Sequence, residues 1–323
     1  MLAIQAKAVG GPEVLEVVDL PVPTAGPGQI RLRQEAVGLN FIDTYFRSGL
    51  YPAKFPLTPG QEGAGVVEAV GEGVTRFQVG DRAGYGVGPG AGYAEYIAIS
   101  QDRAVRLPEG ITTRTAAGAL LKGMTAEFLI RRCFPVAAGD AVLIHAAAGG
   151  VGLILSQWAH ALGAFVIGTT SSEAKAQLAL ANGCDHVVRY DQGEFAPEVR
   201  KLTDGAGVRV VYDGVGKDTL DGSLASLGRR GMLVSFGNAS GPAGPVEPSR
   251  LQRGGSQFLT RPTLFDYVTN AEELDDSAGA LFEKILSGAV KIEIGAEFAL
   301  RDAAKAHKAL ESRSTTGSTL LIP

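Results

Sequence analysis

The sequence predicts a two-domain α/β protein, with a mainly β amino-terminal domain followed by a doubly wound parallel sheet. Three observations predict it. The 323 residues are too many for one small core and fit two domains of ordinary size. The first third alternates short apolar runs with proline-rich turns, the pattern of strands and hairpins. From about Thr112 the texture changes to an alanine-rich helix, then to apolar strand runs separated by helical segments, the pattern of crossover units in a parallel sheet.

In the first third, strands are expected over residues 3–8, 14–19, 29–37, 65–70 and 93–99. Pro21, Pro23, Pro27, Pro52, Pro56 and Pro59 all fall in the connections, where a fixed φ and a missing donor are tolerated. In the second part, strands are expected over 141–145, 165–169, 186–190, 208–212 and 232–236, with helices starting near Gly150, Ser172, Glu194 and Thr219. The tail reads as a helix around 278–286, a strand over 292–298, a helix around 301–311 and a last strand over 319–322, and is expected to rejoin the first domain.

Composition narrows the function. The formal net charge of −4 comes from 30 basic and 34 acidic residues scattered along the chain, without the basic stripe that nucleic acid requires. Cys133 and Cys184 are too few for a disulfide framework or a cysteine-rich zinc site, which fits a reducing cytoplasm. Residues 1–10 lack the apolar core of a secretory signal. Residues 141–172 carry no Asp, Glu, Lys or Arg, but Gly149, Gly150 and Gly152 interrupt the run and divide it into strand, turn, helix and strand, so it reads as a buried nucleotide-binding unit rather than a membrane span.

That unit carries the chemistry. An apolar strand ending at His145 leads into Ala147-Ala-Gly-Gly-Val-Gly152, which opens a helix and matches the dinucleotide fingerprint with alanine in the first glycine position. Gly149 lets the backbone approach a pyrophosphate, Gly152 lets helix and strand pack closely, and the helix dipole favours the anion. An NAD enzyme usually places a carboxylate at the end of the second strand. Here the chain reads Gly168-Thr-Thr-Ser-Ser172, so Thr169, Ser171 and Lys175 could receive a 2′-phosphate, which favours NADPH. Glu173 works against that preference.

Further motifs carry a family resemblance: Pro59-Gly-Gln-Glu62 with Gly63-Ala-Gly-Val-Val67, Lys122-Gly-Met-Thr-Ala126, Gly139-Asp140 leading into His145-Ala-Ala-Ala-Gly-Gly-Val-Gly152, Tyr212-Asp-Gly-Val-Gly216, Ser235-Phe-Gly-Asn238 and Glu311-Ser-Arg-Ser314. Over essentially its whole length the sequence resembles the quinone oxidoreductase and zeta-crystallin branch of the zinc-independent medium-chain dehydrogenase/reductase superfamily. The resemblance implies a chaperonin-10-like catalytic domain over residues 1–117, an NADPH-binding Rossmann domain over 118–260, a return to the catalytic domain over 261–323, and a homodimer. Gln61 stands where zinc-dependent relatives carry a histidine and Asn40 lies in the segment that would supply their cysteine, so a metal-free hydride (or electron) transfer from NADPH to a quinone is expected.

The resemblance also assigns roles. Asn40, Asp43, Tyr45 and Tyr51 would line a cleft for the acceptor: Tyr45 donates to the acceptor oxygen, Asn40 orients the nicotinamide or its ribose, and Asp43 fixes their positions. For Tyr51 and Phe41, aromatic packing is an equal reading. Thr125, Gly149, Gly150, Val151 and Gly152 would hold the nicotinamide and pyrophosphate, Lys175 and Tyr190 the adenosine phosphate, and Phe236, Gly237, Asn238 and Arg313 would complete the site. Phe128 replaces a tyrosine common in relatives. His145, His160, His186 and His307 read as structural. Two alternatives remain: an NADPH-dependent reductase of α,β-unsaturated carbonyls or enoyl thioesters, with Tyr45 as proton donor, and a nonenzymatic NADPH-binding or RNA-binding role like that of zeta-crystallin.

Overall fold

The computed structural model describes every residue except Pro89. Its contacts divide the chain into two units. Unit 1 comprises Met1–Met124, Val268–Leu286 and Ile292–Pro323, and unit 2 comprises Thr125–Tyr267 and Ser287–Lys291.

Unit 1 opens with the antiparallel pair β1 (Leu2–Ala6) and β2 (Leu15–Asp19). The chain continues through β3 (Gln29–Leu39), α1 (Phe41–Arg47), β4 (Glu62–Val70), β5 (Arg82–Tyr85), β6 (Tyr96–Ser100), β7 (Val105–Arg106) and α2 (Thr113–Phe128), which runs into unit 2. Along the first half of β3, buried residues alternate with more exposed ones, as expected of a strand with one face on a core. Ile30 and Leu32 bury that face against Val67, Phe77, Ile97 and Ile99, each such side chain stabilising by ~1.5–3 kcal/mol.

Unit 2 holds a parallel six-stranded sheet built from β8 (Ala141–Ile144), α3 (Gly150–Ala161), β9 (Phe165–Thr170), α4 (Glu173–Leu180), β10 (His186–Arg189), α5 (Phe195–Leu202), β11 (Val208–Asp213), α6 (Leu220–Ser226), β12 (Leu227–Ser235), α7 (Pro248–Arg253) and β13 (Phe258–Thr260). The strand order is β10-β9-β8-β11-β12-β13. The sheet therefore reverses direction between β8 and β11, the switch point at which such sheets bind ligands. The uncharged run proves to be β8, α3 and β9, apolar because they lie inside the sheet and its covering layer.

The remainder supplies α8 (Ala271–Leu286), β14 (Ile294–Ala299), α9 (Ala303–Glu311) and β15 (Ser318–Ile322). Helix α8 buries Leu274, Ser277, Ala278 and Leu281, one stripe at helical spacing. Strand β15 pairs with β3, completing a seven-stranded sheet in the order β14-β15-β3-β4-β5-β7, with β6 also on β3. Helix α1, β5, β7, β13 and α7 have no counterpart among the elements expected from sequence. All five are short, too short for hydrophobic periodicity to mark. Among the described residues no helix is long and apolar enough to cross a membrane.

Candidate active site

In unit 2 the chain leaves β8 and turns at Ala146, whose φ of 51° is left-handed and costs a non-glycine residue on the order of 1–2 kcal/mol. The Gly149 N–H donates to the Ala146 carbonyl at 2.8 Å and the Ala147 N–H to the Thr169 carbonyl at 3.1 Å, which holds the turn. Gly149 caps α3 without a side chain, so the first-turn amides of Gly150, Val151 and Gly152 meet no side-chain cap. A Cβ at Gly152 would run into the Ala146 carbonyl and lie 2.8 Å from Ala147 Cα, so helix and turn can approach this closely only at glycine. Open amides, a helix dipole and a close-packed turn at the switch point fit a pyrophosphate.

At the end of β9, Thr169 is fully buried and its hydroxyl is paired with His145 Nδ1 at 2.8 Å, so it is not presented as a phosphate ligand. Thr170 is also buried. Ser171 and Ser172 are partly exposed, and Ser172 caps α4 by accepting from the Lys175 N–H. The Tyr190 N–H donates to the Thr170 carbonyl at 3.2 Å, which brings Tyr190 beside this strand end. Arg189, in register with Thr170, was not named from sequence because its proximity depends on strand pairing. It binds Glu173 at 2.9 Å and Asp191 at 2.7 Å. Hydrogen bonds from Gln177 and Arg189 hold the Glu173 carboxyl below its usual pKa, and Arg189 divides its charge between Glu173 and Asp191.

A buried network ties the strand ends of unit 2. Asp213 accepts from the Val215 and Gly216 amides and from the Thr219 and Ser223 hydroxyls, which fixes the turn after β11. Ser223 spends its proton on Asp213, so His145 Nε2, at 2.9 Å, must donate to Ser223 and His145 Nδ1 must accept from Thr169. Burial lowers the His145 pKa and keeps the ring neutral, as this arrangement needs. After β12, the Phe236 and Gly237 amides donate to the Asp213 carbonyl, which sets Phe236, Gly237 and Asn238 beside that turn. Thr125 is buried in α2. Phe128 is buried and stacks on Tyr267, with ring centroids 4.4 Å apart.

The remaining candidates lie in unit 1. Asn40 is the N-cap of α1, and Asp43 Oδ2 accepts from its N–H at 3.0 Å, one arm of a capping box. Asn40 Nδ2 donates to Glu62 Oε2 at 2.8 Å, and Glu62 also accepts from Lys122 Nζ at 2.7 Å and the Leu121 N–H at 2.8 Å. A Cβ at Gly38 would collide with Glu62 Oε2, so a glycine in β3 admits this carboxylate. Tyr45 is buried one turn into α1 and meets Tyr51 edge-on at 5.2 Å, while Tyr51 also packs on Phe46. Phe41 lies 6.4 Å from Tyr45, so packing accounts for part of both expected roles. Arg313 sits at the end of α9 with φ 58°. Asp43 is fully buried, and burial raises its pKa from 3.8 to about 7 against hydrogen bonds from Asn40 and Tyr93 and the charge of Lys122. Thus Asn40, Asp43, Tyr45 and Tyr51 cluster around α1, whereas all the expected cofactor residues other than Asn40 and Arg313 belong to unit 2.

Residues 26–109 match the alcohol dehydrogenase GroES-like domain and residues 150–275 the zinc-binding dehydrogenase domain. A quinone oxidoreductase of Pseudomonas aeruginosa is 50% identical over 99% of both chains. The chain belongs to the quinone oxidoreductase family of medium-chain dehydrogenases/reductases. Within that family, the crystal structure of Escherichia coli quinone oxidoreductase complexed with NADPH superposes with a TM-score of 0.98 at 43% identity, covering 100% of both chains. A 2-haloacrylate reductase of a Burkholderia species is also 43% identical, over 97% of this chain and 96% of its own.

Proposed function

We propose that the protein is an NADPH-dependent quinone reductase that works without a metal. The observation that carries the reading is the switch-point helix α3, whose uncapped first-turn amides stand beside a strand end furnished with Ser171, Ser172, Lys175, Arg189 and Tyr190. Bound NADPH supplies the hydride. Gly149, Gly150, Val151 and Gly152 hold the pyrophosphate, while Lys175 and Arg189 receive the 2′-phosphate, each charged hydrogen bond being worth ~1.5–3 kcal/mol. Thr125, Phe236, Gly237, Asn238 and Arg313 complete the cofactor contacts. Asn40 orients the nicotinamide or its ribose, Tyr45 donates a hydrogen bond to the developing oxyanion of the acceptor, and Tyr51 lines the same place. The names of the relatives point to a quinone, whose conjugated carbonyls accept charge without a Lewis acid.

The similarity to a 2-haloacrylate reductase favours a second reading, reduction of an activated carbon–carbon double bond by the same residues. Oxidation of NADPH by the purified protein, with benzoquinone, phenanthrenequinone, methyl vinyl ketone and 2-chloroacrylate in parallel, separates the two. Quinone turnover that prefers NADPH to NADH and ignores a chelator supports the main reading, and turnover with the alkenes alone replaces it. We also propose a cytoplasmic homodimer. Strand β13 ends the sheet of unit 2 and leaves Phe258 54% and Leu259 39% exposed, an apolar edge that a second copy can cover by strand pairing. Light scattering of the Leu259→Lys variant tests it, since a monomer is expected.

A further inference from the structure

Asp43 is one end of a buried chain that the roles above leave unused. Arg47, at the end of α1, places Nη1 2.8 Å from His307 Nδ1. His307, on α9, places Nε2 2.9 Å from the Tyr93 hydroxyl, and that hydroxyl lies 3.0 Å from Asp43 Oδ2. Arg47 is anchored in turn by Glu311, at 2.6 Å, and by the Gly10 carbonyl, at 3.1 Å. Residues 214 and 260 positions apart in sequence thus meet around the first turns of α1.

Donor chemistry fixes the direction of every link. A guanidinium has no acceptor, so His307 Nδ1 must present its lone pair to Arg47. The neutral ring then carries its proton on Nε2, which donates to the Tyr93 oxygen. Tyr93 has one proton left to give, and it goes to Asp43 Oδ2. Burial and the Arg47 charge push the His307 pKa down to about 3, so no second ring proton disturbs this order. Oδ2 accepts from both Tyr93 and the Asn40 N–H, whereas Oδ1 is buried and has no partner among the described residues.

We propose that Tyr93 and His307 are positioning residues for the Asn40–Tyr45 segment, acting through a one-way hydrogen-bond chain from Arg47 to Asp43 that saturates Oδ2 and leaves Oδ1 as the atom that carries the proton or meets a ligand. The quinone-reductase reading bears only on what the segment serves; the chain itself rests on geometry. The charged and titratable groups acting on Asp43 are Tyr93, Lys122 and Glu62, and Arg47 acts on His307. A buried carboxyl oxygen left open is costly in a fold built for stability alone, and such atoms gather at sites of function.

The test uses the full-length protein. Infrared difference spectra follow the carbonyl stretch of protonated Asp43 against pH, with Asp43→Asn assigning the band, and histidine ¹⁵N NMR reads the ring tautomer. The expected results are an Nε2–H tautomer for His307 and, in Tyr93→Phe, a midpoint raised by about one to two pH units, the effect of one lost hydrogen bond to a charged group. His307→Phe should raise it by less. His307→Gln, whose amide can accept from Arg47 and donate to Tyr93, should leave it in place. In wild type and variants the pH profile of quinone turnover should move with the band. An unmoved band in Tyr93→Phe, or a ring protonated on Nδ1, overturns the chain. Should Tyr93→Phe fail to fold, the His307→Phe and His307→Gln pair makes the same comparison, and equal midpoints in the two overturn it. A band that moves while wild type reduces no quinone keeps the chain and removes the quinone reading.

Discussion

Replacing His307 by glutamine should unmask a pH dependence of stability that the wild-type protein hides. Burial and Arg47 lower the His307 pKa from 6.5 to about 3. Between those values the unfolded chain holds one more proton than the folded one, so stability rises with pH by about 1.4 kcal/mol per unit. Asp43 works in the opposite sense. Its pKa is raised from 3.8 to about 7, so across that interval the folded state holds the extra proton and stability falls with pH at the same slope. Over the shared window, roughly pH 4 to 6.5, the two slopes cancel. His307→Gln deletes the first and leaves the second. Urea unfolding followed by circular dichroism should therefore show the variant losing about 3 kcal/mol relative to wild type on going from pH 4 to 6.5. Asp43→Asn should swing the other way, standing best relative to wild type above pH 7. A difference between His307→Gln and wild type that stays flat over this window would falsify the neutral buried ring and, with it, the direction of the chain.

Three further outcomes are expected. Gly152→Ala forces a methyl against the Ala146 carbonyl and Ala147 Cα, and should weaken NADPH binding about tenfold or more in calorimetry while leaving unit 1 intact. Lys122→Met strips the fully buried Glu62 of its counter-charge and should cost about 3–5 kcal/mol in urea unfolding, most of which Glu62→Gln on the same background restores. Lys175→Ala and Arg189→Ala should each raise the Kd for NADPH about tenfold with little change for NADH, and an equal loss for both cofactors would remove these residues from the 2′-phosphate.

The nucleotide unit was legible because its constraints are local. The strand, glycine turn and helix from Ala141 to Ala161 are contiguous, and Gly152 is dictated by atoms no more than six positions away in the chain. Helix α1 was missed although half of its signal was present: Asn40 at the N-cap and Asp43 three residues on form a capping arm, but the seven residues after Asn40 are too few to show a periodic apolar stripe. Arg189 could be found only through the register of β10 on β9. Tyr93, Arg47 and His307 gave no signal, because a hydrogen bond between residues hundreds of positions apart leaves no mark on either neighbourhood in the sequence. His145 and His307 read from sequence as structural, and nothing local to either shows the direction of its hydrogen bonds.

Those two histidines make the same kind of connection in different units. Each is buried and neutral with its proton on Nε2, each accepts at Nδ1, and each donates to a hydroxyl that passes its own proton to a buried carboxylate. Both carboxylates then organise backbone where candidate site residues sit: Asp213 the turn beside Phe236 and Gly237, Asp43 the cap that carries Asn40. They differ in saturation. Asp213 accepts at both oxygens from two amides and two hydroxyls, so its turn is closed to further partners. Among the described residues Asp43 accepts at Oδ2 alone. Among the described residues one network is thus complete without a ligand and the other is one hydrogen bond short, so of these two carboxylates it is Asp43 that keeps an oxygen open when a substrate or proton arrives.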